Sequence, residues 1–507
     1  MMPTPARASA ATAHALLRRT RCFAGVNRIR PTTRTFSGAP AGAADPHDHA
    51  EKVGGVKVGD DELDVAMVGG GMVGLAVACA LFKELSEKDG VPDSRVSTVT
   101  PATISFFRDI GAWKHILQQR HAFFGKMQVW DYTGLGYTRY SARDMGKEYL
   151  GYNKVLCNSL LLHLQEQKED LERMIYPTRL VSLAFPSKSR HVGVAGVKPP
   201  STEADSIGYT SEEVHRSSLV KLDLSDGQTL YSKLVVGADG SKSNVRQVAG
   251  IQTTGWSYPQ SVIICTVEHT IANDCAWQRF LPSGPIALIP IGDTFSNIVW
   301  TMSPEEASRH KSMSSKDFVM SVNRALDFGY GPHPSSSSVD HYMEKLFSGI
   351  GHTAASTKEC FEVPPRAIGL IFERMAFRLS MMHSHDYVSK GLALVGDAAH
   401  TVHPLAGQGV NLGFGDAAAL AKVISEGVSI GANIGDLSLL SWYENDRKTA
   451  NVAMAAVLDG FQKMYSVDFG PLNVLRAAAF HGAQYISPLK RNIIFYAMGN
   501  KQSPLFS

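Results

Sequence analysis

Apolar positions along this chain gather in short runs broken by Gly, Ser and Pro, and the runs follow two periods. Leu63 to Val68 is a mostly apolar run of strand length, the pattern of a buried strand. Met72 to Lys88 continues at helical spacing. Met127 to Asp131 is short and extended, and Leu156 to Glu172 is helical in pattern. From Arg179 to Val236, β-like runs alternate with polar loops, and Ser225-Asp226-Gly227 is a hairpin turn between two alternating strands. A second β-rich block spans Ser261 to Met302, and Gly331 to Asp340 (GPHPSSSSVD) is a loop. Leu392 to Val395 is another buried strand, with a helix starting at Gly409. The last third is largely helical, and Val457, Leu458, Phe461, Met464 and Tyr465 form a stripe expected to face the core.

Strand–helix units mixed with β-rich blocks predict an α/β nucleotide-binding domain of Rossmann type. A mostly antiparallel β domain is inserted into it, and a helical region closes the chain. In residue terms, 61–125, 150–252 and 385–440 make up the nucleotide domain. Residues 126–149 and 253–384 form the inserted domain, and 441–507 the helical end. One run, Val65 to Phe82, has no charge over a length that could span a bilayer. Its cluster Gly69, Gly70, Gly71 and Gly74 cuts it into strand, turn and helix instead.

Charge changes the picture at the N-terminus. Residues 1–40 carry seven arginines and neither acid nor lysine, the composition of an organellar transit peptide. Residues 41–60 read as a linker. Without those seven charges the formal net charge of +3 becomes mildly negative, which excludes an electrostatic footprint for nucleic acid. The six cysteines are scattered with no CxxC pair, which excludes a disulfide scaffold and a zinc ribbon.

Three motifs carry chemistry. Gly69-Gly70-Gly71-Met72-Val73-Gly74 is a GxGxxG between strand and helix. There Gly69 permits the tight turn, Gly71 lets a pyrophosphate approach and Gly74 lets the helix pack on the strand. Gly237-Ala238-Asp239-Gly240, with Ser243 and Arg246 following, sets an acid at a strand end, suited to sugar hydroxyls or to capping a helix. Gly396-Asp397 ends a third strand and leads to Pro404, Gly407-Gln408-Gly409 and Asn411. A Gly-Gln-Gly turn at a helix start aims N–H dipoles at whatever lies over it. A rival metal reading of Asp397, His400 and His403 would need a continuous helix, which Pro404 and the glycines oppose.

Taken in order, GxGxxG, GADGxxSxVR and GDAAHxxxPxxGQGxN resemble the flavin-dependent aromatic hydroxylases of the p-hydroxybenzoate hydroxylase fold. RVSTVTP (95–101), GAW (111–113), MQVW (127–130) and AWQRFLPSGPIALIPI (276–291) are similar to the mitochondrial ubiquinone-biosynthesis monooxygenases. The resemblance implies FAD as cofactor. Gly69, Gly71 and Gly74 would bind its diphosphate, and Arg95 its ribityl or diphosphate region. Asp239 and Gly240 would lie near the diphosphate. Gly396 and Asp397 would meet the ribityl chain or the diphosphate, and Pro404 with Gly407, Gln408, Gly409 and Asn411 the isoalloxazine. It also implies ring hydroxylation of a polyprenylated phenol by dioxygen through a flavin C4a-hydroperoxide. Electrons would come from ferredoxin and its reductase or from NAD(P)H. The expected place is a ubiquinone-biosynthesis complex on the matrix side of the mitochondrial inner membrane, held peripherally. No catalytic base is required by the pattern, and none is named. Other readings with the same motifs are a flavoprotein epoxidase or reductase and a non-catalytic member of the complex.

The chain departs from that pattern at one point. A Rossmann FAD site needs a second strand after the first helix, ending in an acid that binds the adenosine ribose. Residues 81–94, LFKELSEKDGVPDS, offer Glu84, Glu87, Asp89 and Asp93 but no apolar strand before any of them. The expectation is a nucleotide sheet missing its second strand, with an open edge or with Val96 to Thr100 sliding into the gap.

Overall fold

The computed structural model describes residues 20–23, 62–81, 97–118, 121–154, 175–176, 179–186, 216–334, 361–467 and 469–485, with residues 156, 159–160, 163–164, 490–491, 493–494 and 498–499. The proposed linker 41–60, most of the predicted helix 156–172, the end of the Gly331–Asp340 loop and the stretch 82–96 with Arg95 lie outside them.

Two large sheets organise the molecule. The first has a parallel spine in the order Leu392–Leu394, Thr229–Gly237, Glu62–Val68, Thr20–Phe23 and Ile175–Tyr176. Its strands are apolar because both faces are covered; Val65, Ala66, Met67, Leu234, Val235 and Val236 are fully buried. The predicted hairpin is present. Val220–Leu224 pairs antiparallel with the first half of Thr229–Gly237, and Gly227 at the turn has φ +86°. Met72–Leu81 is the helix after the glycines, packed against Gly409–Ser429.

The second sheet has nine strands. Thr253–His269, Cys275–Leu281, Gly284–Gly292 and Phe295–Met302 are extended antiparallel by Met375–Ser384 and Ala367–Leu370. Lys126–Asp131 joins parallel to Cys275–Leu281. Helices Pro304–Ser312 and Ser315–Leu326 bury Phe318, Val322 and Ala325 on it, in one core with Trp130 and Ile298.

Two expectations need correction. The nucleotide sheet has no open edge beside Glu62–Val68, because Thr20–Phe23 pairs there in parallel, Thr20 opposite Val65 and Phe23 opposite Val68. Nor does the segment after Arg95 enter that seat. Ser97–Val99 instead pairs with Gly151–Lys154 in a separate three-stranded sheet. The helical stripe is also divided. Leu458 and Tyr465 are buried, but Val457 and Phe461 are exposed. The inward face of Leu437–Tyr465 is partly polar, carrying Arg447, Asn451, Asp459 and Gln462. These side chains have polar partners on the helix Gly409–Ser429 and the second sheet, so an apolar stripe would leave those partners unpaired.

Glycine gives a paired test. A methyl on Gly74 would stand 2.2 Å from the Gly69 carbonyl oxygen. Helix propensity favours alanine by about 1 kcal/mol, but overpacking against backbone costs about 1–3 kcal/mol, so the clash wins. Gly460, within Leu437–Tyr465, faces open space. Gly74→Ala should lower the melting temperature and Gly460→Ala raise it; thermal denaturation of the two variants checks both signs.

Candidate active site

The three motifs begin at one level of three adjacent parallel strands. Val68 is opposite Gly237, and Gly237 is opposite Leu394. The turns after them, at Gly69, Ala238 and Gly396, therefore open side by side at the carboxyl edge of the sheet, where doubly wound folds bind ligands. They are tied by backbone. Ala238 N–H donates to the Val68 carbonyl at 2.8 Å, and Val395 N–H to the Gly237 carbonyl at 3.0 Å.

Each glycine of the first motif does a different job. Gly69 has φ +116°, and a methyl there would lie 2.3 Å from the Ala238 carbonyl oxygen, so the first two turns touch through backbone. Gly74 lets the helix sit on that turn. A methyl on Gly71 would meet no atom within 4 Å, so this face is open. The first turn of Met72–Leu81 presents its N–H groups beside it.

In the second motif, Asp239 is a cap. Its carboxylate accepts from the Ser243 hydroxyl at 2.6 Å, from Asn244 N–H at 2.7 Å and from Val245 N–H at 3.2 Å. Arg246 does not hydrogen-bond Asp239. It is buried and donates to the carbonyls of Ala398 at 2.7 Å and Ser241 at 2.8 Å, binding the second turn to the third.

In the third motif, Gly396-Asp397-Ala398 forms a single 3-10 turn. Asp397 is exposed to solvent, yet enough protein surrounds it that desolvation raises its carboxyl pKa. Pro404 to Ala406 make a second short turn, Gly407 closes it with φ +61°, and helix Gly409–Ser429 begins. Asn411 is fully used within the protein. Its carbonyl oxygen accepts from Thr100 N–H at 3.0 Å and the Thr103 hydroxyl at 2.9 Å, and its amide donates to the carbonyls of Thr98 and Gly407. It thereby holds the Ser97–Val99 strand against the Gly-Gln-Gly turn.

The two histidines of the metal reading of Asp397, His400 and His403 have separate partners. His400 Nε2 lies 2.6 Å from Asp416, and His403 Nε2 lies 3.3 Å from Gln260. Among the described residues no group of three possible ligands converges.

Asp416 is the residue that motif reading misses. It is completely buried in helix Gly409–Ser429. One carboxylate oxygen accepts from Gly396 N–H at 3.0 Å and faces His400; the other accepts from Arg447 Nε and the Asn451 amide, each at 2.9 Å. Burial alone would raise its pKa, but His400, Arg447 and Asn451 together hold it at about 2. The signal was present in the sequence as a lone acid inside the apolar run GVNLGFGDAAALA. An acid there is rarely left unpartnered.

His403 is also buried, and burial lowers its pKa to about 4. Gln260 accepts from Gln462 at 3.0 Å, and Tyr258 packs edge-on to the His403 ring at 4.9 Å while donating to Asp459 at 2.7 Å. The loop before Pro404 is thus clamped between the second sheet and the long helix.

Residues 62–340 and 362–457 match the model of the FAD binding domain family. The mitochondrial ubiquinone biosynthesis monooxygenase COQ6 of Mus musculus is 35% identical over 468 residues, 86% of this chain and 91% of that protein. The 3-demethoxyubiquinol 3-hydroxylase of Escherichia coli is 30% identical over 453 residues, 86% of this chain and 98% of that protein. Among solved structures, p-nitrophenol 4-monooxygenase PnpA from Pseudomonas putida superposes with a TM-score of 0.57 at 16% identity, covering 87% of this chain and all of that one. That likeness concerns the fold.

Two measurements probe the buried charges. Asp416→Ala strands Arg447 in the interior, a loss that costs about 3–5 kcal/mol. It should lower the melting temperature by many degrees and reduce the FAD held per chain, read from the visible spectrum. The pH dependence has two windows. His403 and His383 both have pKa values lowered to about 4 from 6.5, so each costs stability as pH falls from 6.5 to 4, where only the unfolded chain takes up the proton. Asp416, lowered from 3.8 to about 2, keeps its contribution until pH passes below 3.8. The melting temperature should begin to fall near pH 6.5; a flat profile down to pH 4.5 would contradict this assignment.

Proposed function

The chain belongs to the FAD binding domain family and is an FAD-dependent monooxygenase, and on that premise we propose that it hydroxylates the ring of a polyprenylated phenol in ubiquinone biosynthesis. The observation that carries the reading is the alignment of three turns at one sheet edge, with an open glycine face at one end and an open carboxylate at the other. Supporting it, two relatives at 30% identity or more are named for ubiquinone biosynthesis and for a ubiquinol hydroxylase.

The residues present fit FAD. Gly69, Gly71 and Gly74 shape a cradle at a helix N-terminus for the diphosphate, and only Gly71 of the three leaves free space in front of it. Asp397, exposed at the third turn, would meet the ribityl hydroxyls or the diphosphate. Because the Asp239 carboxylate is already engaged, the second motif offers Gly240 and the turn backbone instead. Pro404, Gly407, Gln408, Gly409 and Asn411 would line the ring, and the Asn411 side chain also fixes that turn to the Ser97–Val99 strand. Helix Gly409–Ser429 directs its positive end toward the ring and favours negative charge there. Bound reduced flavin supplies the activation of dioxygen and the transfer of one oxygen atom to an electron-rich ring. The protein orients the two rings and excludes water, and it needs no base of its own.

The domain assignment follows. Residues 61–125, 150–252 and 385–440 hold the cofactor; 126–149 and 253–384 roof the substrate; 441–507 form the helical end. The Arg-rich N-terminus directs import into mitochondria. Among the described residues no helix is long and apolar enough to cross a membrane, and the enzyme attaches peripherally to the matrix side of the inner membrane, within a biosynthetic complex. Its electron donor is ferredoxin with its reductase, or NAD(P)H.

Purified chain supplied with a prenylated phenol, each donor in turn and ¹⁸O₂ should yield a hydroxylated ring carrying one labelled oxygen. A reduced or unlabelled product would overturn the monooxygenase assignment for this substrate class.

A further inference from the structure

The seat beside Glu62–Val68 is the one a doubly wound nucleotide fold fills with the strand following its first helix. In this chain Thr20–Phe23 sits there, between Glu62–Val68 on one side and Ile175–Tyr176 on the other, parallel to both. It also lies against the Met72–Leu81 helix. The stretch from residue 24 to 61 is long enough for the crossover that two parallel strands require, about a dozen residues or more. The family match begins at residue 62, after this strand.

We propose that Thr20–Phe23 is a resident strand of the folded enzyme, seated beside Glu62–Val68, so that any cut accompanying import must fall before Thr20. The physical reason is the state of the sheet without it. Glu62–Val68 is deeply buried, with Val65, Ala66 and Met67 at 0% exposure. Taking away its neighbour leaves one side of that strand unpaired in the interior, where each orphaned backbone group is costly. It also detaches Ile175–Tyr176, which among the described residues joins the spine through Thr20–Phe23 alone. Glu62–Val68 ends in the GxGxxG turn, so the damage reaches the cofactor cradle directly. The residues after Phe23 are Ala24-Gly25-Val26-Asn27, with no carboxylate. This strand thus completes the ladder without bringing the acid that usually meets the adenosine ribose.

This inference extends the FAD reading, but its test is separable from it. Three purified chains are compared: full length, one beginning at Thr20 and one beginning at residue 41. The first two should match in melting temperature and bound FAD. The third should melt lower and retain FAD about tenfold less or worse, the effect of losing a few hydrogen bonds. A peptide spanning residues 16–28, added to the third chain, should restore both; a scrambled peptide should not. If the third chain proves insoluble, Cys22→Pro in the full-length chain serves instead. Every N–H of a strand paired on both sides is in the ladder, so proline removes one. Hydrogen exchange of the full-length chain gives a readout independent of FAD: the amides of residues 20–23 should be protected like those of Val65 to Met67. N-terminal sequencing of the protein recovered from mitochondria should begin at or before Thr20. The proposal is overturned by free exchange at residues 20–23, by a residue-41 chain equal to full length, or by a mature N-terminus beyond Phe23. A full-length chain that lacks FAD yet protects these amides would instead count against the cofactor reading alone.

Discussion

Everything at the candidate site depends on the register of three parallel strands. Val68, Gly237 and Leu394 lie opposite one another, although more than 150 residues separate each from the next. A slip of one residue would carry buried side chains to the wrong face. Here both faces are buried, so the register is fixed by shape complementarity and not by a contrast between wet and dry sides. The contact of Gly69 with the Ala238 carbonyl shows how narrow the tolerance is, since a single methyl would not fit. Arg246 then fastens the second turn to the third by donating to both Ser241 and Ala398.

Asp416 extends that constraint downward. Its four partners come from three places: the Gly396 turn, the His400 loop and the long helix carrying Arg447 and Asn451. A buried ion pair is often no more stabilising than apolar packing, because desolvation offsets the attraction. What it supplies is direction. The carboxylate cannot stay satisfied if the turn, the loop or the helix moves independently. Gly415 shows the chain adapted to this arrangement, since a methyl there would lie 2.6 Å from the Arg447 guanidinium.

Much of this was legible from local sequence, for reasons that also explain the failures. The glycine turns, the strand before each and the hairpin at Ser225-Asp226-Gly227 declare themselves because backbone demands are met within a few residues. Asp239 is different. Its residue type suits both a sugar ligand and a helix cap, and only the positions of Ser243, Asn244 and Val245 decide for the cap. Asn411 sits inside a ligand motif, yet its amide is spent on Thr98, Thr100, Thr103 and Gly407. The Leu437–Tyr465 helix misled by its apolar stripe, because its inward face answers polar groups that come from elsewhere in the chain. Thr20–Phe23 was hidden most completely. Four residues in an Arg-rich segment carry no periodicity, and their partner, Glu62–Val68, lies some forty residues later.

The contact between the second sheet and the long helix is polar. Tyr258 and Gln260 belong to the second sheet, Asp459 and Gln462 to the long helix, and His403 to the loop before Pro404; hydrogen bonds and one ring contact join them. An apolar seam could slide by an ångström at little cost. A buried polar seam cannot, because each broken hydrogen bond leaves a group unsatisfied at about 1–3 kcal/mol. Oxygen transfer between two rings requires reacting atoms held about 3–3.5 Å apart. The protein contributes little covalent chemistry to such a reaction, so what it must supply is distance. The loop before Pro404 is held to Asp416 through His400 and to Gln260 through His403. The buried polar residues around the motif, more than the glycines within it, therefore fix the position of the Pro404 turn relative to the second sheet.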